Sequence, residues 1–250
     1  MMRRMQSMHE PAKGPLRPQP WRGSLSFGDG WAVWQGAIGD SMLHRHLAAQ
    51  AVLSTEPVYA RQEDGQVCSG PTILLDPLVP HKLDAPCHVE ILFVEPAYAV
   101  NLPAGLKRRI AGRSDEAVWI EAPPPQRFWR RFITDGFDAV APQRPEAIVR
   151  SLVLLDGWLA VGRAPLHRAA ASVGLSPDRY RHLFTATIGI PYRRYLLWRR
   201  LQLAFQTLEA GGNVTSAAHD AGFADSAHFA RTLRAMFGIS ATQLAQTANT

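Results

Sequence analysis

The chain has 250 residues, 46% hydrophobic and 19% charged, with a formal net charge of +6. That much apolar material builds a packed core and excludes wholesale disorder, and no apolar run reaches the roughly 18–20 residues of a membrane span. Cys68 and Cys87 are the only cysteines, which excludes a disulfide scaffold and a Cys-rich zinc module.

Residues 1–20 carry four prolines and three arginines without apolar periodicity and read as a disordered arm. Arg3 and Arg4 are not followed by the apolar stretch of a secretory signal, so the expected location is cytoplasmic. From Ser24 to Glu95 the pattern is β-like: Trp31–Ile38, Met42–Leu47, Ala51–Ser54, Pro71–Leu75 and Val89–Val94 are short apolar or alternating runs. Gly28-Asp29-Gly30, Gly39-Asp40, Asp64-Gly65 and Asp76-Pro77 punctuate them, the texture of a sandwich or small barrel over 21–96. Beyond Pro96 the period lengthens to that of helices. Pro103–Ile110 predicts one, Pro123–Pro125 starts another with Phe128, Trp129, Phe132 and Ile133 on one face, and Pro145–Leu159 spaces Ile148, Leu152, Leu155 and Leu159 helically. Residues 97–161 are therefore expected to be linking helices, with Gly162–Pro165 leading into a last domain, 162–250.

The charge is unevenly placed. Residues 1–160 hold 17 basic and 17 acidic side chains, whereas 161–250 hold ten arginines, no lysine and four acids. The whole excess lies in the last 90 residues, as in a neutral module joined to one that binds a polyanion. That basic part also repeats itself. Leu166, Ala169, Ala170 and Val173 recur 48 positions on as Val214, Ala217, Ala218 and Ala221, an i, i+3, i+4, i+7 face. Gly174-Leu175 recurs as Gly222-Phe223, and Tyr180, Phe184 and Ile188 match Phe229, Leu233 and Phe237 at an offset of 49. Each unit reads as helix, glycine turn and second helix. Ser176 before Pro177 is a natural N-cap, and Asp225 or Ser226 caps the equivalent helix. The free face of the first such helix carries Ser176, Asp178, Arg179, Arg181, His182 and Thr185. That of the second carries Ser226, His228, Arg231, Thr232 and Arg234. These are groups that hydrogen-bond phosphates and base edges.

Between the units, Pro191 to Ala210 predicts one uninterrupted helix of about 30 Å, close to the roughly 34 Å of a B-DNA turn. Arg193, Arg194 and Arg199 lie along it as candidate phosphate contacts, and Arg200 is placed to pin the two halves together. Its apolar residues are needed for core between the hairpins, which argues against a membrane-surface helix.

Residues 165–246 resemble the DNA-binding domain of the AraC/XylS family of bacterial transcription regulators. The resemblance rests on Gly174-Leu175-Ser176, on Tyr180-x2-Leu183-Phe184, and on Gly189 with Tyr195-x4-Arg200-x3-Ala204. Its most specific part is Ala221-Gly222-Phe223-x-Asp225-Ser226-x2-Phe229-x7-Phe237-Gly238. Ser240-Ala241-Thr242 departs from the family's usual Thr-Pro-Ser. The resemblance implies an α+β chain: an N-terminal cupin-like β-barrel for effector sensing or dimerisation, linking helices, and an all-α domain of two helix-turn-helix units joined by a long helix. The implied partners are double-stranded promoter DNA, a small-molecule or metal effector, a second copy of the chain, and RNA polymerase if the protein activates. No membrane partner and no enzymatic activity are implied.

In the N-terminal module, His44-x-His46 on a strand would place both imidazoles on one face, and His81 follows 35 residues later. With Gln50 they resemble the metal pattern of cupins, and Gly39 precedes the pair as that pattern expects. Gln50 stands where the carboxylate is usual, and the later glycine is missing around Pro77–His81. Three imidazoles still suit a divalent transition metal in the barrel. The leading expectation is a DNA-binding regulator; the alternative is a cupin-type metalloprotein or metalloenzyme with an accessory DNA-binding domain. Cys68, Cys87 and His88 form a separate soft cluster whose plainer reading is buried apolar side chains.

Overall fold

The computed structural model describes residues 21–28, 31–39, 41–85, 88–95, 104–113, 117–123, 128–129, 144–160, 164–237, 239–242 and 244. The arm 1–20, Cys87, Phe132, Ile133, the 161–163 part of the linker and Gly238 lie outside the described residues.

Strands β1 (Arg22–Gly28), β2 (Trp31–Ala37), β3 (Ala49–Gln62), β4 (Val67–Leu75), β5 (His81–Asp84), β6 (His88–Val94) and β7 (Ala117–Ile120) form one seven-stranded sheet of order β1-β2-β6-β3-β4-β7, with β5 also paired to β3. The pairs are antiparallel except β4 with β7. The expected closed barrel is thus replaced by an open sheet: β1 and β7 are its two ends. The linking segment, expected to be helical throughout, contributes strand β7 besides helices α1 (Ala104–Ala111) and α2 (Glu146–Ala160).

Side-chain alternation divides the sheet between two cores. Ala49, Ala51 and Leu53 of β3, Val33 of β2, Leu74 of β4, and Leu92 and Val94 of β6 pack with Ile110 of α1 and with Trp129. The intervening Val52, Trp34, Ile73, Leu75, Ile91 and Phe93 face the other way and join the core of the C-terminal helices. Burial on both faces explains why these strands read as near-continuous apolar runs. Trp129 donates its indole N–H to the Leu75 carbonyl at 3.0 Å, and Arg113 donates to the Ser54 carbonyl at 2.6 Å. Arg109 of α1 pairs with Glu90 of β6. β3 is longer than its sequence pattern because its pairing with β4 shifts between Leu53 and Val58, an irregularity that accommodates Pro57.

The C-terminal part holds α3 (Leu166–Ser172), α4 (Pro177–Ile188), α5 (Tyr192–Glu209), α6 (Val214–Asp220) and α7 (Ser226–Phe237). The repeat extends to individual hydrogen bonds. Leu175 N–H donates to the Ala170 carbonyl at 3.0 Å, and its counterpart Phe223 to that of Ala218 at 2.9 Å. Gly174 and Gly222 sit at φ +71° and +73°, the left-handed turn that frees the next helix from the last. Ser176 caps α4 through Arg179 N–H, and Asp225 caps α7 through His228 N–H at 2.6 Å. Tyr180, Phe184 and Ile188, and likewise Phe229, Leu233 and Phe237, are buried.

Helix α2 buries Ile148, Ser151, Leu152, Leu155 and Leu159, and presents Val149 and Val153 outward. It is tied to the first unit. The Tyr180 hydroxyl donates to Ser151 Oγ at 2.9 Å, which donates to the Ile148 carbonyl at 2.8 Å. Arg168 lies over the Trp158 ring at 4.7 Å, and the Tyr192 hydroxyl donates to the Ala164 carbonyl at 3.0 Å. Two glycines with open space around an added Cβ separate the conformational effects. Gly174→Ala should lower stability by about 1–2 kcal/mol through its left-handed backbone. Gly157→Ala, inside α2, should raise it by about 0.5–1 kcal/mol. Denaturant midpoints of the two variants check both signs.

Candidate nucleic-acid interface and histidine pocket

The side chains singled out in the repeat emerge on two corresponding helices. On α4, Asp178, Arg179, Arg181 and His182 are exposed and Thr185 is half-buried. Arg181 donates to Asp178 at 2.8 Å, so its guanidinium is held over the first turn, whereas Arg179 engages the cap only through its backbone. Ser176 itself is exposed at the helix start with its hydroxyl spent on the cap. On α7, Arg231 and Arg234 are exposed, and Ser226, His228 and Thr232 are half-buried. The His228 ring leans edge-on against Phe223 at 5.3 Å, which fixes it as part of the turn. On α5, Arg193 is exposed, while Arg194 and Arg199 are half-buried. Arg200 lies lower: burial lowers its pKa and its Nε meets no acceptor among the described residues. The α5 helix is 18 residues, about 27 Å long; α4 leads into it, and α6 and then α7 follow it.

The histidines converge by a route other than the expected strand. Met42–Leu47 is not a strand; only His44 bridges, to His81. His44 N–H donates to the His81 carbonyl at 3.0 Å and receives the reverse bond at 2.8 Å. Leu78 N–H donates to the His46 carbonyl at 2.7 Å. Ser41 Oγ donates to the Leu83 carbonyl at 3.0 Å and accepts from Leu83 N–H at 3.2 Å. These bonds lace 41–46 to 78–83 and hold Leu78 at φ +70°, a conformation L side chains rarely adopt.

The lacing brings three buried imidazoles together, His46 stacked on His81 and His44 edge-on to His46. His44 Nδ1 donates to the Met42 carbonyl at 2.7 Å, and His81 Nδ1 to the Val79 carbonyl at 2.8 Å. A carbonyl only accepts, so both rings carry their proton on Nδ1 and turn an Nε2 lone pair inward. His46 Nε2 stands between them, 2.9 Å from His44 Nε2 and 3.2 Å from that of His81. Burial is the main force lowering all three pKa values: His44 to about 4, His81 to about 3, and His46 well below the ordinary value, its two neighbours adding to the shift.

His44, His46 and Gln50 line a cavity with Trp21, Trp34 and Phe93 on the sheet side. Phe205, Phe237, Ile239 and Leu244 close it from the C-terminal side. Gln50, 1% exposed, has no partner for its Oε1 among the described residues, and neither do the indole N–H groups of Trp21 and Trp34. Sequence reasoning found the imidazoles and Gln50. It missed the two tryptophans, Phe93 and the closing role of Phe237, because alternation shows which residues share a face and not what that face meets.

The pKa shifts fix a pH dependence. The folded rings titrate below the unfolded value of 6.5, so the unfolded chain binds more protons between pH 6.5 and about 4. Stability of chelator-treated protein should be level above pH 7 and fall as pH drops through that window. His81→Gln should fall less steeply. Denaturant midpoints at intervals from pH 7.5 to 4.5 test this, and equal slopes for the two proteins would contradict the burial of a neutral ring.

Residues 169–247 match the family model described as a helix-turn-helix domain. Over the whole chain the fold is similar to ToxT from Vibrio cholerae. One crystal form gives 9% identity and a TM-score of 0.54 over 90% of this chain and 98% of that one. ToxT from Vibrio cholerae O395 gives 9% and 0.51 over 93% and 97%. A transcriptional regulator with an AraC-type DNA-binding domain from Chromobacterium violaceum is 22% identical over 41% of this chain and 91% of that one, with a TM-score of 0.38. No curated protein matches. At such identities the ToxT likeness is one of fold. The C-terminal part of the chain is a helix-turn-helix domain.

Proposed function

We propose that the chain is a sequence-specific transcription regulator in which α4 and α7 each enter a major groove of promoter DNA. The observation that carries this reading is the duplicated turn: two left-handed glycines and two capped helices, each with an exposed arginine set. Arg179 and Arg231 are the base-reading candidates, and Arg193 on the connecting helix a phosphate contact. The cavity against the sheet is the effector site of this reading. Its walls carry two indole donors and an amide oxygen with no partner among the described residues, groups that a polar ligand would satisfy. A second copy of the chain would meet the outward Val149 and Val153 of α2, and RNA polymerase is a partner if the protein activates. The metalloenzyme alternative has the three imidazoles in its favour, but Gln50, a weak neutral ligand, stands where the metal pattern usually has a carboxylate.

Selection from a random duplex library followed by anisotropy titration tests the reading. Arg231→Ala should cost about 1–3 kcal/mol and relax selectivity in one half of the site. Arg179→Ala should do so in the other half, about 10 base pairs away. Arg193→Ala should weaken all sequences alike and reduce the salt slope by about one. Equal affinity for selected and random duplexes at roughly 150 mM salt would overturn sequence reading.

A further inference from the structure

We propose that the Nε2 atoms of His44, His46 and His81 bind one divalent transition-metal ion of the zinc, cobalt, nickel or copper class, and that occupancy is transmitted to α7 through Phe237. The geometry fits. One ring nitrogen from each histidine lies within 4.8 Å of the others, and His46 Nε2 is 2.9 Å and 3.2 Å from the Nε2 atoms of His44 and His81. Ligands about 2.0–2.1 Å from an ion stand about 3.3 Å apart at a tetrahedral angle and about 2.9 Å apart at a right angle.

The proton inventory makes the case stronger. The two outer rings spend their only N–H on backbone carbonyls, so both inner atoms are acceptors. A neutral His46 offers at most one proton to two lone pairs. If it carries that proton on Nδ1 instead, three lone pairs meet, and Nδ1 has no acceptor among the described residues. A cation at the centre accepts all three lone pairs at once. The backbone bonds to Nδ1 of His44 and His81 are the outer-shell contacts that fix ring orientation in metal sites. The buried Gln50 Oε1, lining the same cavity, is the spare oxygen. A set of neutral nitrogens without thiolate favours borderline metals over calcium and magnesium, which take oxygen shells.

Transmission follows from packing. The His46 ring is 5.1 Å from Phe93 and 5.5 Å from Phe237. Phe237 is the last residue of α7 and stacks on Trp198 of α5 at 5.7 Å. Next to it, Arg45 N–H donates to the Ala235 carbonyl at 3.5 Å. An ion that fixes the plane of His46 therefore fixes the seat of the helix carrying Arg231 and Arg234. The metal site is independent of the DNA-binding reading; only the use made of transmission rests on it.

The test uses the full chain without an affinity tag, stripped by chelator. Cobalt(II) and zinc(II) are titrated in turn, followed by visible absorption and calorimetry, and hydrogen exchange is measured over Ser226–Phe237. Expected are one equivalent of metal, a nitrogen-ligated cobalt spectrum, and slower exchange in α7 when metal is bound. His46→Gln and His81→Gln should each lose at least about 100-fold in affinity, beyond what outer-shell changes cost. His219→Gln, at an exposed site, should bind as the unmodified chain does. Failure of the unmodified chain to bind one equivalent, or unchanged binding in both pocket variants, overturns the site, and the first result needs no variant to fold. Stoichiometric binding with unchanged α7 exchange overturns the transmission. Failure to select any DNA sequence would remove the regulator reading and leave the metal result intact.

Discussion

Closure of the sheet's inner face by helices from the far end of the chain is the constraint on which the other arrangements depend. Among the described residues the outer face is covered by Ile110 of α1 and by Trp129. The inner face carries imidazoles, an amide and two indoles among its apolar side chains, and the C-terminal helices complete its core. Phe237 is the point of closure: it meets His46 and Phe93 on one side and Trp198 and Phe205 on the other, with ring centroids 5.4–5.9 Å apart. Aromatic pairs at these spacings prefer particular angles, so the seat is directional as well as apolar. The helical part and the sheet thus share one core rather than meeting across a wet interface.

The helical half was legible because its determinants are local. Small residues at helical spacing, glycine at the turn and a cap before the next helix each act within a few positions, and repetition at offsets of 48 and 49 shows the pattern twice. Asp225, one of two candidate caps, takes the role because its carboxylate reaches the His228 amide. The sheet was legible as a collection of strands and not as an architecture. Whether it closes depends on partners far apart in sequence, and β7 is too short to show a period of its own.

The histidine site was legible in composition and not in mechanism. A His-x-His pair and a later histidine can be read from the chain, but the expected strand alternation is not what unites them. Backbone bonds between two irregular segments do so, around a strained Leu78. The orientation of each ring follows from carbonyls two residues away, Met42 for His44 and Val79 for His81, a relation that only the folded backbone creates.

The two helix-turn-helix units match in their turns and caps but not in their moorings. The first is fastened to α2 through Tyr180 and Arg168; the second to the sheet through Phe237 and Phe93, and to the segment beside it through the amide of Arg45. The duplicated units are therefore the jaws of a caliper, with α5 as its beam. One jaw is referenced to a helix and the other to the floor of a cavity. A displacement of that floor relative to α2 changes the span and phase between the jaws, while a displacement that carries both leaves the setting untouched.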